Sequence, residues 1–362
     1  MIYFDNAATT MPMHSSLVFH NPSSPHVLGI KSERALRDAR NQIASALGSG
    51  TGQNQGDIIF TSGGTESNNL AILGFALAFA KQGVSLISTP YEHPSILAPI
   101  QHASDRGWAG GMSDLKQIPQ GNVLVSLSHV NHETGDINDV NKIGADIKQI
   151  NPTAVIHIDG VQGLCKEAVC LDNIDMYSFS GHKCHGPMGV GGLWVRKGVR
   201  LTPLLHGGGQ ESGLRPGTEN VSGIVQMAEA VSGQTKAMAV NYAHVTAIKN
   251  VLLSLQEELP DVCVNAMGAN TSPYILNMSF MGVKGEILVH ALSEKGICVS
   301  MGAACRSRKK GQPALEIMGF APKIAESAIR FSFSALNTLE EAMLAREIII
   351  GEVNRFRKLI AF

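Results

Sequence analysis

The sequence predicts an α/β protein, with a mostly parallel sheet flanked by helices and a smaller α+β region after it. Three observations predict this. Short apolar runs alternate with helical patterns through the first two-thirds of the chain, the order that builds layered α/β folds with right-handed crossovers. The runs are compact and apolar, as in strands buried on both faces. From about residue 222 a long helical stretch reaches residue 260, and mixed strand and helix patterns follow.

The strand candidates in order are 57–61, 84–89, 123–129, 154–159, 176–180 and 192–196. Ahead of them, residues 31–48 carry Leu36, Ala39, Ile43 and Leu47 at spacings of three, four and four, which is one helix face, and Gly48 is a natural stop. The stretch 222–260 reads as a bridge into the second region. That region holds the patterned segments 274–280, 286–295 and 328–332, then a helix from Thr338, where Thr338 with Glu341 fits a capping box.

Composition narrows the function classes. The chain has 362 residues, room for two or three domains at about 150 residues each. With 44% hydrophobic residues, 16% charged and 38 glycines it reads as soluble and globular, which excludes disordered, collagenous and coiled-coil chains. A net charge of −1 gives no electrostatic reason to expect nucleic acid or an anionic membrane. The longest apolar candidate, 70–80, stops at Lys81, short of the roughly 20 residues a membrane span needs. The opening Met-Ile-Tyr-Phe-Asp lacks a secretory pattern. The cysteines at 165, 170, 184, 263, 298 and 305 are too sparse for a disulfide scaffold and include no C-x-x-C pair. A reduced, cytoplasmic protein is expected. No metal site is expected either: the 13 histidines are scattered, and the closeness of His182 and His185 along one loop does not make ligands converge.

Ligands of open α/β sheets collect at the carboxyl ends of the strands, and three strand ends here carry unusual polar groups. The strand ending at Thr61 runs through Ser62-Gly63-Gly64-Thr65-Glu66-Ser67-Asn68-Asn69 into an apolar helix. Such a turn is either an anion site built from helix N–H groups or simply a capped tight turn. The strand 154–159 ends in Asp159, followed by Gly160-Val161-Gln162. A buried acid there needs a cation or a hydrogen bond, although a helix cap is an equal reading. Twenty-four residues later the next strand ends in Ser180-Gly181-His182-Lys183. A desolvated lysine at a strand tip is a candidate Schiff-base amine, while a surface lysine is the commoner kind.

The string Ser178-Phe179-Ser180-Gly181-His182-Lys183, followed by Gly186-Pro187-Met188-Gly189-Val190-Gly191, resembles the pyridoxal-phosphate lysine motif of class V aminotransferase-fold enzymes. Within them the chain is most similar to the cysteine desulfurases of the NifS and IscS type. Matching blocks keep one order along nearly the whole chain: Tyr3-Phe4-Asp5-Asn6-Ala7-Ala8-Thr9-Thr10, Asn21-Pro22-Ser23-Ser24, residues 61–69, Glu92-His93, His129-Val130-Asn131, Asp159, Lys183, residues 206–220, and Ala328-Ile329-Arg330-Phe331-Ser332.

The resemblance implies fold type I of the pyridoxal-phosphate enzymes. That means a large cofactor-binding domain, 14–255, with a seven-stranded mostly parallel sheet, and a small domain of 1–13 and 256–362 carrying a cysteine loop. Carried over, Lys183 forms the Schiff base with pyridoxal phosphate and Asp159 pairs with the pyridinium nitrogen. Gln162 hydrogen-bonds the phenolic oxygen, and His93 stacks on the ring and acts as an acid or base. Thr65, the Gly64 backbone, Ser180 and His182 hold the phosphate. Thr218 resembles the threonine that reaches the phosphate of a neighbouring subunit, which implies a homodimer. Arg330 and Asn131 bind the substrate α-carboxylate, where a guanidinium fork suits a bidentate contact. In Val299-Ser300-Met301-Gly302-Ala303-Ala304-Cys305-Arg306-Ser307, Cys305 takes the place of the nucleophile. It receives the sulfur of L-cysteine as a persulfide, releases alanine, and passes sulfur to an acceptor such as an iron–sulfur scaffold or a tRNA-thiolation enzyme. The other five cysteines read as structural, with Cys184 a packing residue.

The chain departs from the family pattern in three places. The segment between Thr10 and Asn21 is short, Tyr91 stands where a threonine usually opens the tripeptide ending in His93, and Arg306, Arg308, Lys309 and Lys310 make the loop after Cys305 cationic. That charge is either a solvated loop, or a means of lowering the thiol pKa or steering an acidic acceptor. The length of the loop fits the IscS/NifS branch and a cysteine that swings between cofactor and partner. Other readings on the same fold are a selenocysteine lyase or a class V aminotransferase, and, from another class, a silent homologue acting as a binding partner.

Overall fold

The apolar runs and helical patterns fold in the order in which they alternate. The computed structural model describes residues 1–10, 20–49, 55–113, 115, 117–301 and 314–360. The elements are β1 (Ile2–Tyr3), α1 (Val27–Ala46), β2 (Gly56–Thr61), α2 (Gly64–Phe79), β3 (Ser85–Ile87), α3 (Pro94–Asp105), β4 (Gly110–Ser113), β5 (Val123–Ser128), α4 (Val140–Ile150), β6 (Val155–Asp159), β7 (Met176–Ser180), β8 (Gly191–Arg196), α5 (Val221–Lys236), α6 (Met238–Leu253), α7 (Leu255–Glu258), β9 (Val262–Val264), β10 (Ile275–Phe280), α8 (Gly285–Glu294), β11 (Ile297–Cys298), α9 (Ala314–Ile317), α10 (Pro322–Glu326), β12 (Ala328–Ser332) and α11 (Leu339–Ile360). They divide into two compact units. The larger is Met11–His129 with Asn138–Lys236, and the smaller is Met1–Thr10, Val130–Ile137 and Ala237–Phe362. Among the described residues, no helix is long and apolar enough to cross a membrane.

The larger unit is built on one sheet with strand order β2-β8-β7-β6-β5-β3-β4. The pairs from β4 through β7 are parallel, and β8 runs antiparallel to both β7 and β2. Every residue of β5 and β7 is buried, as a central strand covered on both faces requires. Helix α1 turns Leu36, Ala39 and Ile43 inward, the stripe expected from sequence. It begins at Val27 rather than near residue 31, because His26 caps it: Nδ1 accepts the Gly29 N–H at 3.2 Å. At its other end Gly48 adopts φ +68°, and its N–H reaches Ser45 O at 3.0 Å. Strand β4 was missed by the sequence pattern. It pairs only with β3 at the sheet edge, and Gly-Gly-Met-Ser carries no strand-forming run.

The smaller unit holds the antiparallel sheet β12-β10-β9 and the short parallel pair β1–β11. Its core is Phe4, Phe280, Phe331 and Phe333 with Val245, Ile248 and Leu252 of α6. That burial explains where the boundary falls. The helical stretch 222–260 is three helices, broken at Ala237 (φ −91°, ψ 1°) and Ser254. The chain therefore divides after Lys236, not near residue 255, and Val130–Ile137 groups with the smaller unit. At the start of α11 the capping box forms: Glu341 N–H donates to Thr338 Oγ1 at 3.1 Å and Thr338 N–H to Glu341 Oε2 at 3.2 Å.

Candidate active site

In the larger unit the polar strand tips lie on neighbouring strands. Asp159, the last residue of β6, is in register with Ser178 of β7. Two residues on, β7 ends at Ser180, and a single 3-10 turn, Gly181–Lys183, carries the lysine. Ser180 in turn is in register with Gly191 of β8, which faces Thr61 at the end of β2. Position 191 must be glycine: a Cβ there would meet Phe179 O at 2.6 Å and Gly63 Cα at 2.7 Å. Its bareness lets the Gly63-Gly64 turn cross the sheet edge beside Ser180, which would lie 3.7 Å from a Cβ on Gly64. Helix α2 starts there with no side-chain cap, so its first N–H groups point out over the sheet end without intrahelical partners.

Asp159 is 7% exposed. Its Oδ1 accepts the Val161 N–H at 3.0 Å and its Oδ2 accepts from Asn68 Nδ2 at 2.8 Å. Both donors are neutral, and among the described residues no basic side chain pairs with it. Asn68 lies one turn into α2 and also donates to Ser95 Oγ at 2.8 Å. Ser95 Oγ is 2.7 Å from His93 Nδ1, which also accepts the Ser95 N–H at 3.1 Å. The Ser95 N–H donates to Nδ1, so that nitrogen carries a lone pair, and the Ser95 hydroxyl beside it donates to it as well. Nδ1 is therefore the acceptor, and the ring proton sits on Nε2. His93 is exposed at the start of α3. Asn68 and Ser95 thus link two expected site residues. Asn68 stood within the strand–turn–helix motif without a role, and nothing in the sequence marks Ser95.

Beside His93, Glu92 is 1% exposed. It accepts from Thr89 Oγ1 at 2.8 Å and from the Ser128 N–H at 3.0 Å. Burial pushes its carboxyl up to about 7, and the nearby Asp159 charge adds to the rise. His182 goes the other way: burial, then Lys183 and Lys166, pull it down to about 4, leaving a neutral imidazole. Gln162 is buried on the turn after Asp159, and Lys183 is half-buried. Thr65 is exposed at the first turn of α2, and Thr218 is exposed on a loop lining a cavity of about 310 Å³ with His20, Asn21 and Glu219.

The smaller unit brings together the remaining two. Arg330, on β12 and 6% exposed, donates from Nη1 to His132 O at 2.7 Å, and its Nη2 lies 3.5 Å from Asp5 Oδ1. Its Nε is buried with no hydrogen-bond partner among the described residues. Asn131, adjacent to His132, spends its Oδ1 on the N–H groups of Glu133 and Thr134. Cys305 and the basic residues after it lie outside the described residues. Of the other cysteines, Cys165 and Cys184 are buried and Cys170 is exposed. Cys184 Sγ donates to Leu164 O at 3.5 Å, and the Cys165 thiol, with Lys166 and Lys183 nearby, draws its pKa down despite burial.

Strand-tip acid, strand-tip lysine and an uncapped helix N-terminus lie at the end of the sheet where the ligands of α/β enzymes collect. The chain belongs to the class-V aminotransferase family, whose family model matches residues 2–344. It is 36% identical to the cysteine desulfurase IscS of Buchnera aphidicola subsp. Acyrthosiphon pisum, over 99% of this chain and 94% of that protein. Among solved structures it resembles a NifS-like protein with a TM-score of 0.89 at 32% identity, covering 98% of this chain and 99% of that one. It also resembles SspA, solved in complex with cysteine, with a TM-score of 0.76 at 28% identity over 93% and 100% of the two chains.

Proposed function

We propose that this protein is a pyridoxal-phosphate-dependent cysteine desulfurase, converting L-cysteine to L-alanine and holding the sulfur as a persulfide on Cys305. One observation carries the cofactor reading: Asp159, a buried carboxylate whose hydrogen bonds come from neutral donors. An anion so placed calls for a cation, and a protonated ring nitrogen supplies one. The bare glycine turn at the start of α2 beside Ser180 fits a phosphate in the same way. When bound, pyridoxal phosphate supplies an electron sink for the carbon that loses sulfur.

Each residue then has a defined task. Lys183 tethers the cofactor, Gly64, Thr65, Ser180 and neutral His182 hold its phosphate, and Gln162 donates to its phenolic oxygen. His93 packs on the ring and moves its proton at Nε2, since Ser95 occupies Nδ1. The unpartnered Nε of Arg330 and the Nδ2 of Asn131 take the substrate carboxylate. The Cys305 thiolate attacks the substrate sulfur, so an S–S bond forms as the carbon–sulfur bond breaks. The persulfide then goes to an acceptor such as an iron–sulfur scaffold or a tRNA-thiolation enzyme. Thr218 serves the phosphate of a second copy, which makes the working form a homodimer. The reaction belongs in a reducing cytoplasmic compartment.

The test is one sample: a visible spectrum of the purified protein, followed by L-cysteine with detection of alanine and of persulfide on Cys305. A visible cofactor band, alanine release and persulfide together support the proposal. A colourless protein that takes up no pyridoxal phosphate overturns it, and amino transfer to a keto acid that survives Cys305→Ala replaces it with an aminotransferase.

A further inference from the structure

After β6 the chain winds through a short helical turn. The Leu164 N–H bonds Gly160 O at 2.8 Å and the Glu167 N–H bonds Gly163 O at 2.9 Å. That winding puts residues four apart on one face, and it requires glycine at 163, where a Cβ would come within 2.4 Å of His129 Nδ1. Gln162 and Lys166 are such a pair, both buried. Lys166 Nζ donates to Gln162 Oε1 at 3.1 Å.

Four titratable groups surround this lysine: Cys165 and Glu167 on its own turn, and Cys184 and His182 on the segment after β7. Burial draws the Lys166 pKa down, whereas Cys184, Cys165 and Glu167 draw it up. A buried lysine is costly, and nothing in tethering a cofactor at Lys183 or pairing it at Asp159 requires one here.

We infer that Lys166 is a positioning residue: its ammonium holds Gln162 Oε1, so that the side-chain amide turns its N–H₂ group toward the cofactor's phenolic oxygen. The inference rests on the reading of Gln162 given above. An amide has a donor end and an acceptor end, and only the donor end can hydrogen-bond a phenolic oxygen that carries negative charge. An ammonium has only donors, so it captures the oxygen end and leaves the donors on the other side. Its positive charge also polarises the amide and strengthens that donation. Lys166 thus acts on the cofactor through Gln162, without touching it.

The pH at which the Schiff base loses its imine proton, followed by visible absorbance, reads that donation directly. A donor to the phenolic oxygen favours the deprotonated imine. Lys166→Met is therefore expected to move the midpoint up by about one pH unit, the usual scale of an environmental shift. Lys166→Arg, which keeps the charge and the donors, should return it toward the wild-type midpoint. In a Gln162→Leu background, Lys166→Met should move it no further, because the two act as one unit. If Lys166→Met does not fold, Lys166→Gln is read in its place with the same expectation. A wild-type protein without a visible band defeats the cofactor reading itself. A wild-type band with an unmoved midpoint in the Lys166 variant, or equal shifts with and without Gln162, defeats this inference alone.

Discussion

The larger unit encloses three groups whose titrations oppose one another, and their balance can be measured. His157, fully buried on β6, bridges Ser126 Oγ of β5 at 2.8 Å and Ser178 Oγ of β7 at 2.9 Å. His129 lies 3.0 Å from Tyr177 Oη. Burial holds His157 down to about 3 and His129 to about 4, against 6.5 in the unfolded chain. Below pH 6.5 the unfolded chain therefore takes up protons that the native protein refuses, and stability falls with pH. Glu92 has the opposite sign. Its native pKa of about 7 exceeds the unfolded 4.5, so the native protein takes up the proton first and gains stability as pH falls from 7. One pKa unit is about 1.4 kcal/mol, so between pH 7 and pH 5 each histidine costs about 2 kcal/mol and Glu92 returns about 2 kcal/mol. His182, also held down to about 4, adds to the loss in both proteins, so Glu92→Gln is expected to lose about 2 kcal/mol more than the wild type over this interval. Denaturant unfolding at the two pH values, followed by the fluorescence of Trp108 and Trp194 in the larger unit, gives that difference. Equal losses in the two proteins would show that Glu92 is ionised in the native state at pH 7, and would refute the account.

Three further outcomes are expected. Lys183→Ala should leave no borohydride-trappable cofactor, read by mass spectrometry of the tethered peptide, whereas Cys305→Ala should keep the cofactor band and lose alanine release from L-cysteine. Gly191→Ala should destabilise the larger unit by roughly 1–3 kcal/mol, because its Cβ meets backbone that cannot yield cheaply, and pyridoxal phosphate affinity measured by titration should fall as the Gly63-Gly64 turn shifts. Neutralising Arg306, Arg308, Lys309 and Lys310 together should slow sulfur delivery to an acidic acceptor in a salt-dependent way, and transfer kinetics indifferent to both would remove steering as their role.

How much of this was legible in the sequence follows from the range of the interaction concerned. Strands β5, β6 and β7 announce themselves because each is a short, mostly apolar run closed by a polar tip, and the tips Asp159 and Lys183 are read from chain order alone. The Thr338–Glu341 box is likewise local, with both hydrogen bonds spanning three residues. The start of α1 was misplaced because a histidine cap is a weaker signal than Ser, Thr, Asp or Asn. The split of 222–260 after Lys236 could not be read from periodicity, because helices on either side of Ala237 are both apolar and differ only in the core they join. The hydrogen bonds that organise the site are longer still. Asn68 reaches 27 residues to Ser95 and 91 to Asp159, spans that no local pattern encodes.

Those long bonds change what the site can do. Asn68 has one amide group and gives both its donors away, one to the acid proposed to face the cofactor's ring nitrogen and one to the serine that fixes the His93 tautomer. The hydrogen bonding of Asp159 and the proton position on His93 are therefore connected through a single side chain. Removing it in Asn68→Ala would free the Ser95 hydroxyl to rotate and leave Asp159 with the Val161 N–H as its remaining donor among the described residues. Two functions that look separate along the sequence, holding a ring nitrogen protonated and presenting a proton at Nε2, should then fail together, with a pH profile that broadens on the limb belonging to His93. If Asn68→Ala shifted the cofactor spectrum and left that limb unchanged, the two groups would be independent and the connection through Ser95 would carry no chemistry.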